Sequence, residues 1–259
     1  MIRVIINADY LGKDEITNNA ISDALEKKLI TSSTILANTN TWPQVHEIVK
    51  TNPQASFGVH LNLTEGKAMT ENLIFHKYKI VDKDNCFTKQ IQNQKYYPEE
   101  LINAIFLEWN AQIEKIKTIE KVSVSHFDGH HHVHTIPELE TVLIALLKKH
   151  NIKAVRRNYR LPQSFINCFN EAVSFILHKK AYRLLWRKKL KNIKTTDYFD
   201  SYKDFVTKIN KEFVLPKECT IELMCHPGHE KYVEEDELMN EGCLGQRLPS
   251  ILLISYKEL

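Results

Sequence analysis

Short apolar runs alternate with stretches of helical periodicity along this 259-residue chain. The run from Arg3 to Ala8 is almost entirely apolar, as in a strand that is buried on both faces of a parallel sheet. Apolar side chains from Ile16 to Leu25 then recur at helical spacing, and Ser33 to Ala37 has the pattern of a second strand. Because parallel strands need a long crossover that is usually a helix, this opening is typical of a βαβ unit.

The same alternation continues along the rest of the chain. It predicts strands at 55–63, 122–127, 153–156 and 220–225, and helices at 42–50, 98–118 and 137–149. A chain with this pattern forms a mostly parallel sheet, which is either open and doubly wound or closed into a barrel. The length and the 43% apolar content fit a single domain over residues 1–259.

Polar side chains with catalytic potential lie at the predicted strand ends. They are Asp9, His60, a histidine cluster at 126–134, and His226. A barrel brings the carboxyl ends of its strands around one mouth, whereas an open sheet spreads them apart. Since these positions would share one rim of a barrel, the sequence predicts an α/β barrel with its site at that rim.

The charge and the cysteines argue against several classes of protein. A formal net charge of +3 gives no strong field for nucleic acid, so we expect no such partner. The first residues lack the pattern of a signal peptide, and no run reaches the roughly 18 apolar residues of a membrane-spanning helix. Five scattered cysteines suit reduced thiols, so we expect a soluble cytoplasmic protein.

A segment at about 165–194 combines apolar side chains with many basic ones. It predicts an amphipathic helix whose basic face is solvated and whose apolar face packs on the barrel. An interfacial helix is the alternative, and it would suit a substrate carried on a lipid in an anionic membrane. Peripheral membrane contact therefore stays open at this stage.

The densest chemical signal lies between His126 and His134, where five of nine residues are histidines. Imidazole is the commonest metal-binding side chain near neutral pH. Asp128, within the same segment, is close enough in sequence to bind a metal or to orient a histidine ring. A histidine-rich turn with ordinary hydrogen bonds is the alternative interpretation.

The single polar residues at the other strand ends also have structural alternatives. His60 interrupts an apolar strand, and it could be a buried histidine with an ordinary hydrogen-bond partner. His226 precedes a Pro-Gly turn and could be a turn residue. Asp9 could cap the helix that follows it. Their joint position at one rim favours a metal-dependent site.

Four segments, at 7–9, 58–66, 125–134 and 223–228, resemble the YdjC-like carbohydrate deacetylases in order and spacing. The resemblance implies a distorted (β/α) TIM-like barrel related to the polysaccharide deacetylases. It also implies a hydrolase that removes an N-acetyl group from an N-acetylated sugar or glycoconjugate, which could be lipid-linked. The cofactor implied is a divalent metal, Mg²⁺ or Zn²⁺.

Residue roles follow from the same resemblance. It implies that His60 and His130 are metal ligands, that Asp9 is the general base and that His226 is the general acid. The family's Asn-Ala-Asp-Asp signature has a second aspartate, expected to be the third metal ligand, where this chain has Tyr10. A phenol is a poor replacement for a carboxylate on a hard cation.

Several readings of the incomplete ligand set stay open. Asp9, Asp128 or another histidine of the cluster completes the metal site, or the metal is held weakly or lost. A degenerate member that only binds carbohydrate is one alternative function. Another metal-dependent hydrolase, such as a phosphoesterase, would be favoured only if several Lys or Arg side chains faced the metal, and Arg156 and Arg157 are the candidates. Contact with a substrate oxygen is the milder role expected of Arg157.

Overall fold

A computed structural model describes residues 1–157, 192–208 and 215–259. Within these residues, parallel strands form one sheet in the order β4-β3-β2-β1-β6-β5, and β7 also pairs with β1. The strands are β1 (Ile2–Leu11), β2 (Ser32–Ile35), β3 (Ser56–Leu61), β4 (Val124–Gly129), β5 (Tyr198–Ser201), β6 (Cys219–Cys225) and β7 (Ile251–Leu253). The predicted parallel α/β class is confirmed.

Helices connect most of these strands, as the periodicity predicts. They are α1 (Glu15–Glu26), α2 (Trp42–Thr51), α3 (Leu73–Lys77), α4 (Glu99–Glu114), α5 (Glu140–His150), α6 (Tyr202–Lys208), α7 (Val233–Asn240) and α8 (Cys243–Arg247). The predicted helix at 98–118 is α4 followed by a π-helical turn at Lys115–Ile119. The helix predicted from Pro137 begins as a 3-10 turn, and its α-helical part starts at Glu140.

Two strand predictions need correction. β1 extends to Leu11, so that Asp9 lies within the strand and not after it. The strand predicted at 153–156 is reduced to single parallel bridges, from Val155 to Phe127 and from Ala154 to Lys194. The polar stretch Tyr198–Ser201 forms β5, and the apolar pattern did not predict this strand. Its pairing with β6 stabilises it.

The sheet curls towards closure. On one side, β4 is bridged to Val155, and Ala154 is bridged to Lys194. On the other side, β5 at Tyr198–Ser201 pairs with β6. The short stretch from Lys194 to Ser201 therefore reaches both sides of the sheet, which gives it the barrel-like form predicted from the sequence.

Alternate side chains of β1 enter two different cores, as the two-residue period of a strand requires. Val4 and Ile6 belong to the large apolar layer between the sheet and the helices. Ile5 belongs to a small cluster inside the curled sheet, with Ala154, Ile254 and Tyr256. The C-terminal segment therefore fills part of the barrel interior.

The predicted basic segment at about 165–194 lies outside the described residues, apart from 192–194. Among the helices that are described, none has the length and apolar character needed to cross a bilayer. Cys86, Cys219, Cys225 and Cys243 are free thiols. The cytoplasmic location and the peripheral membrane contact stay predictions.

Gly58 on β3 offers a test of packing inside the barrel. A Cβ atom at this position would lie 2.6 Å from Cε1 of His126, whose ring stacks on Tyr256 at 3.6 Å. The ring cannot move away freely, so Gly58→Ala should lower the free energy of unfolding by about 1–3 kcal/mol. Urea unfolding measures this loss. The matched control is Gly245→Ala on α8, where a Cβ meets no atom within 4 Å; an equal loss in both variants would contradict the packing argument.

Two buried histidines give the fold a predictable pH dependence. Burial is the largest cause that lowers the pKa of His126 and of His134 well below 6.5. When the pH falls below 6.5, the unfolded chain binds protons that the folded chain does not, so each such histidine removes stability. The expected slope is about 1.4 kcal/mol per pH unit for each histidine.

His134→Gln isolates one of these contributions. The side chain of His134 lies 3.3 Å from the Arg156 carbonyl through Nε2, and the glutamine amide offers a donor of similar reach. Between pH 6.5 and pH 5, unfolding free energies from urea titrations should fall less steeply in the variant, by about 1.4 kcal/mol per pH unit. Parallel curves for the two proteins would show that His134 does not titrate on unfolding.

Candidate active site

Tyr10 occupies the centre of the rim formed by the strand ends. Its φ of 75° lies in the left-handed region, which non-glycine residues seldom adopt. The ring centroid lies 5.4 Å from that of His60, 5.0 Å from that of His130 and 5.1 Å from that of His226. Three histidines that the sequence placed at separate strand ends therefore meet around one side chain.

His60 on β3 is fixed by Asp128 on the neighbouring strand β4. Its Nδ1 lies 2.7 Å from Asp128 Oδ1, and Thr34 donates its hydroxyl hydrogen to the other oxygen of Asp128 at 3.0 Å. A carboxylate on Nδ1 holds the proton there and leaves a lone pair on Nε2. That Nε2 is buried and has no hydrogen-bond partner among the described residues.

His130, directly after β4, has the same arrangement with the nitrogens exchanged. Its Nε2 donates to Glu65 Oε2 at 2.7 Å, whereas its Nδ1 is buried with no described hydrogen-bond partner. The hydrogen bond from His130 is the main cause that lowers the pKa of Glu65 to about 2. Burial lowers the pKa of His130 itself, which favours the neutral ring that a metal ligand must have.

Asp9 faces the same space from β1 and is held by Arg156. The two terminal nitrogens of the guanidinium donate to the two carboxylate oxygens at 2.6 and 2.9 Å, and Asp9 Oδ2 lies 4.0 Å from His60 Nε2. Burial alone would raise the pKa of Asp9, but the charges of Arg156 and His60 and the hydrogen bonds from Arg156 together outweigh it and hold the pKa well below its usual range. The helix-cap alternative is wrong, because Asp14 caps α1 through the amide of Thr17.

The two adjacent arginines have different environments. Arg156 is fully buried, and besides Asp9 it binds Asp128 at 2.9 Å and Glu222 at 2.7 Å. Arg157 is half-buried and donates to the backbone carbonyls of Thr196 and Asp197. Substrate contact by Arg157 stays a prediction, while Arg156 is the arginine that the fold brings to the predicted site residues.

His226, directly after β6, is oriented by a residue that the sequence pattern did not identify. Its Nδ1 lies 3.2 Å from Glu235 Oε2 on α7, and its backbone amide donates to the same oxygen at 2.7 Å. The ring stacks on Tyr232 at 4.0 Å. This dyad leaves Nε2 of His226 as the atom that can exchange a proton with a ligand.

The remaining histidines of the cluster have structural contacts. His126 stacks on Tyr256, and His131 shares a hydrogen bond with Thr64 at 2.9 Å. His132 packs edge-on against Phe199. His131 and His132 both have φ in the left-handed region, and this turn separates His130 from the residues that follow. The alternative of ordinary packing thus holds for most of the cluster.

A cleft of about 280 Å³ opens over Tyr10. His130 and His229 line it, together with three lysines from separate segments of the chain, Lys13, Lys89 and Lys231. The positive charge of the lysines would attract an anionic group on a ligand.

Two sets of side chains near Tyr10 could hold a metal ion. They are Asp9 with His60 and Asp128, and Glu65 with His130 and His131; within each set the ligand atoms lie within 4.8 Å of one another. Two buried imidazole nitrogens without partners, each on a ring oriented by a carboxylate, are the donors that a divalent cation such as Zn²⁺ requires. The residues therefore fit the metal that the family resemblance implies.

Curated relatives support the resemblance over nearly the whole chain. A carbohydrate deacetylase of Clostridium beijerinckii is 27% identical over 265 residues, which cover 100% of this chain and 93% of that protein. A carbohydrate deacetylase of Halalkalibacterium halodurans is 27% identical, with coverage of 90% of this chain and 91% of that protein.

The fold is similar to that of a candidate cellobiose-phosphate cleavage protein of Enterococcus faecalis, which is known from a crystal structure. The TM-score is 0.73 at 22% identity, and the superposition covers 99% of this chain and 98% of that chain. At this level of identity the similarity concerns the fold alone, and it confirms the barrel-like α/β architecture. The family model of YdjC-like proteins matches residues 3–246, and the chain therefore belongs to the YdjC-like family.

Proposed function

We propose that this chain is a metal-dependent hydrolase, with Mg²⁺ or Zn²⁺, that removes the N-acetyl group from an N-acetylated sugar or glycoconjugate. The observation that carries the proposal is the pair of oriented histidines, His60 and His130, each with a buried and unpartnered ring nitrogen. Asp9 and His226 lie beside them at the same rim. The deacetylase names of the curated relatives agree with this set of groups.

An amide resists hydrolysis because water is a weak nucleophile and the departing amine must be protonated. A divalent cation held by His60 Nε2 and His130 Nδ1 would supply polarisation of the acetyl oxygen and a lowered pKa of water. Asp9 takes the proton of the attacking water. Since Arg156 stabilises the charged form of Asp9, this carboxylate is a weak base, and it suits a water molecule that is already acidified.

His226 serves as the general acid in this proposal. Glu235 fixes its Nδ1 side, so the opposite nitrogen, Nε2, delivers a proton to the sugar amine as the C–N bond breaks. Stacking on Tyr232 limits rotation of the imidazole. The products are acetate and a free amino sugar.

Tyr10 limits how firmly the site holds a cation. Burial raises the pKa of its phenol, and the charge of Asp9 raises it further, so the hydroxyl stays neutral. Asp128 is engaged by Nδ1 of His60, and both oxygens of Asp9 are bound by Arg156. We therefore propose a site with two histidine ligands and low metal affinity, in which Asp9 acts as the base and not as a ligand.

Metal affinity tests the ligand assignment directly. Asp128→Asn removes the carboxylate that orients His60, and it should weaken Zn²⁺ binding by about 10- to 100-fold in calorimetric titrations. Tyr10→Asp restores an anionic ligand at a left-handed position that aspartate tolerates, and it should strengthen binding.

His76→Gln is the control for these titrations, because it changes an exposed histidine on α3. Its Zn²⁺ affinity should equal that of the wild-type protein. Equal affinities in Asp128→Asn and the wild-type protein would contradict the role of His60 as an oriented ligand.

Acetate release tests the reaction itself. Wild-type protein with Zn²⁺ or Mg²⁺ should release acetate from N-acetylglucosamine oligomers or from lipid-linked forms of the sugar. Asp9→Asn and His226→Gln should each lower the rate by about 10²- to 10⁴-fold, since each removes a proton-transfer group. His76→Gln should retain the full rate.

The two alternative functions predict other outcomes. A chain that only binds carbohydrate would bind the oligomers and release no acetate with either metal, and the replacement at Tyr10 is the observation that favours it. A phosphoesterase has less support. Arg156 is held by three carboxylates, and Arg157 binds backbone carbonyls, so the contacts of both arginines are with the protein.

A further inference from the structure

A chain of buried polar side chains links the C-terminal segment to Asp9. Tyr256 lies in the 3-10 turn that follows β7, and its hydroxyl donates to Glu222 Oε2. The other oxygen of Glu222 accepts from Nε of Arg156 at 2.7 Å. The terminal nitrogens of Arg156 then bind Asp9. Tyr256 thus reaches the active-site rim through two intermediate side chains.

Contacts outside this series of polar side chains also fix the position of Tyr256. Its ring stacks on His126 with centroids 3.6 Å apart and an angle of 10° between the ring planes. The next residue, Lys257, donates its backbone amide to the hydroxyl of Ser56 at 3.0 Å and its ammonium to the carbonyl of Ala55 at 2.6 Å. These contacts with β3 and β4 therefore hold the hydroxyl of Tyr256 next to Glu222.

Glu222 needs this hydroxyl because it is fully buried. Burial raises its pKa to about 7, against the effects of Arg156 and of the Tyr256 hydrogen bond. Without the hydroxyl, one carboxylate oxygen would have no partner, and the side chain could rotate or take up a proton. Because the guanidinium is planar and rigid, a shift in the position of Nε also moves the terminal nitrogens that bind Asp9.

We propose that Tyr256 is a positioning residue for deacetylation, which acts through Glu222 and Arg156 on the orientation of the Asp9 carboxylate. The inference rests on the proposed function, since Asp9 is the proton acceptor only in that reaction. Tyr256 does not touch the substrate in this proposal. Its contribution is to keep Asp9 aligned while the proton moves.

Tyr256→Phe tests the proposal with little change in packing, because the ring that stacks on His126 is retained. We expect kcat for acetate release to fall by about ten-fold while KM is unchanged, as for the loss of one hydrogen bond to a charged group that matters in the transition state. In protein labelled with ¹⁵N-arginine, the Nε hydrogen of Arg156 should exchange with solvent several-fold faster.

Tyr97→Phe is the matched control. Tyr97 is a half-buried tyrosine whose hydroxyl donates to the Ile91 carbonyl at 2.8 Å, and its loss should leave kcat and the exchange of Arg156 unchanged. Unchanged exchange of Arg156 in Tyr256→Phe would overturn the proposal, and so would faster exchange with an unchanged kcat. If the wild-type protein releases no acetate, the proposed function fails, and the exchange rates still decide whether Tyr256 holds Arg156.

Discussion

The buried guanidinium of Arg156 is the interaction on which the active-site region depends. It binds Asp9, Asp128 and Glu222 at distances of 2.6 to 2.9 Å, and all these side chains are nearly or completely buried. An ion in the protein interior is tolerated only when it is paired and its hydrogen bonds are satisfied. Without the cation, three carboxylates would lie close together in a medium of low dielectric constant. Burial raises the pKa of Glu222 to about 7, which reduces the excess of negative charge around one guanidinium.

The same interaction joins the fold to the chemistry. The three carboxylates come from β1, β4 and β6, so the guanidinium lies inside the curl of the sheet and connects β4 with two strands that are not its neighbours. Asp128 also orients His60, and Asp9 Oδ2 lies 4.0 Å from Nε2 of the same imidazole. A disturbance of Arg156 would therefore reach the proposed metal ligand His60 and the proposed general base Asp9 together.

The sequence predicted the parallel α/β class and the joint position of Asp9, His60, His130 and His226, because apolar runs and the polar residues at their ends are local signals. It did not indicate which of the two arginines, Arg156 or Arg157, lies beside the site residues. Neighbouring side chains of an extended chain point to opposite faces, and nothing in the local pattern indicates which face is the interior. The orienting carboxylates Glu65 and Glu235 were missed for a related reason, since their partners are set by tertiary contacts. In the histidine cluster, the ring of His130 packs against Tyr10, and the left-handed turn at His131 and His132 separates it from the histidines that follow.

Tyr10 removes a ligand oxygen, yet it does not disorganise the site. In a centre whose rings were oriented by the cation alone, loss of one ligand would let the others turn away. Here Asp128 and Glu65 orient His60 and His130 through protein hydrogen bonds, and the ring of Tyr10 packs against both imidazoles. Because the geometry is set before a cation binds, the replacement acts mainly on affinity. In the proposed reaction, residue 10 would then control the occupancy of the metal site, and with it the rate at a given metal concentration.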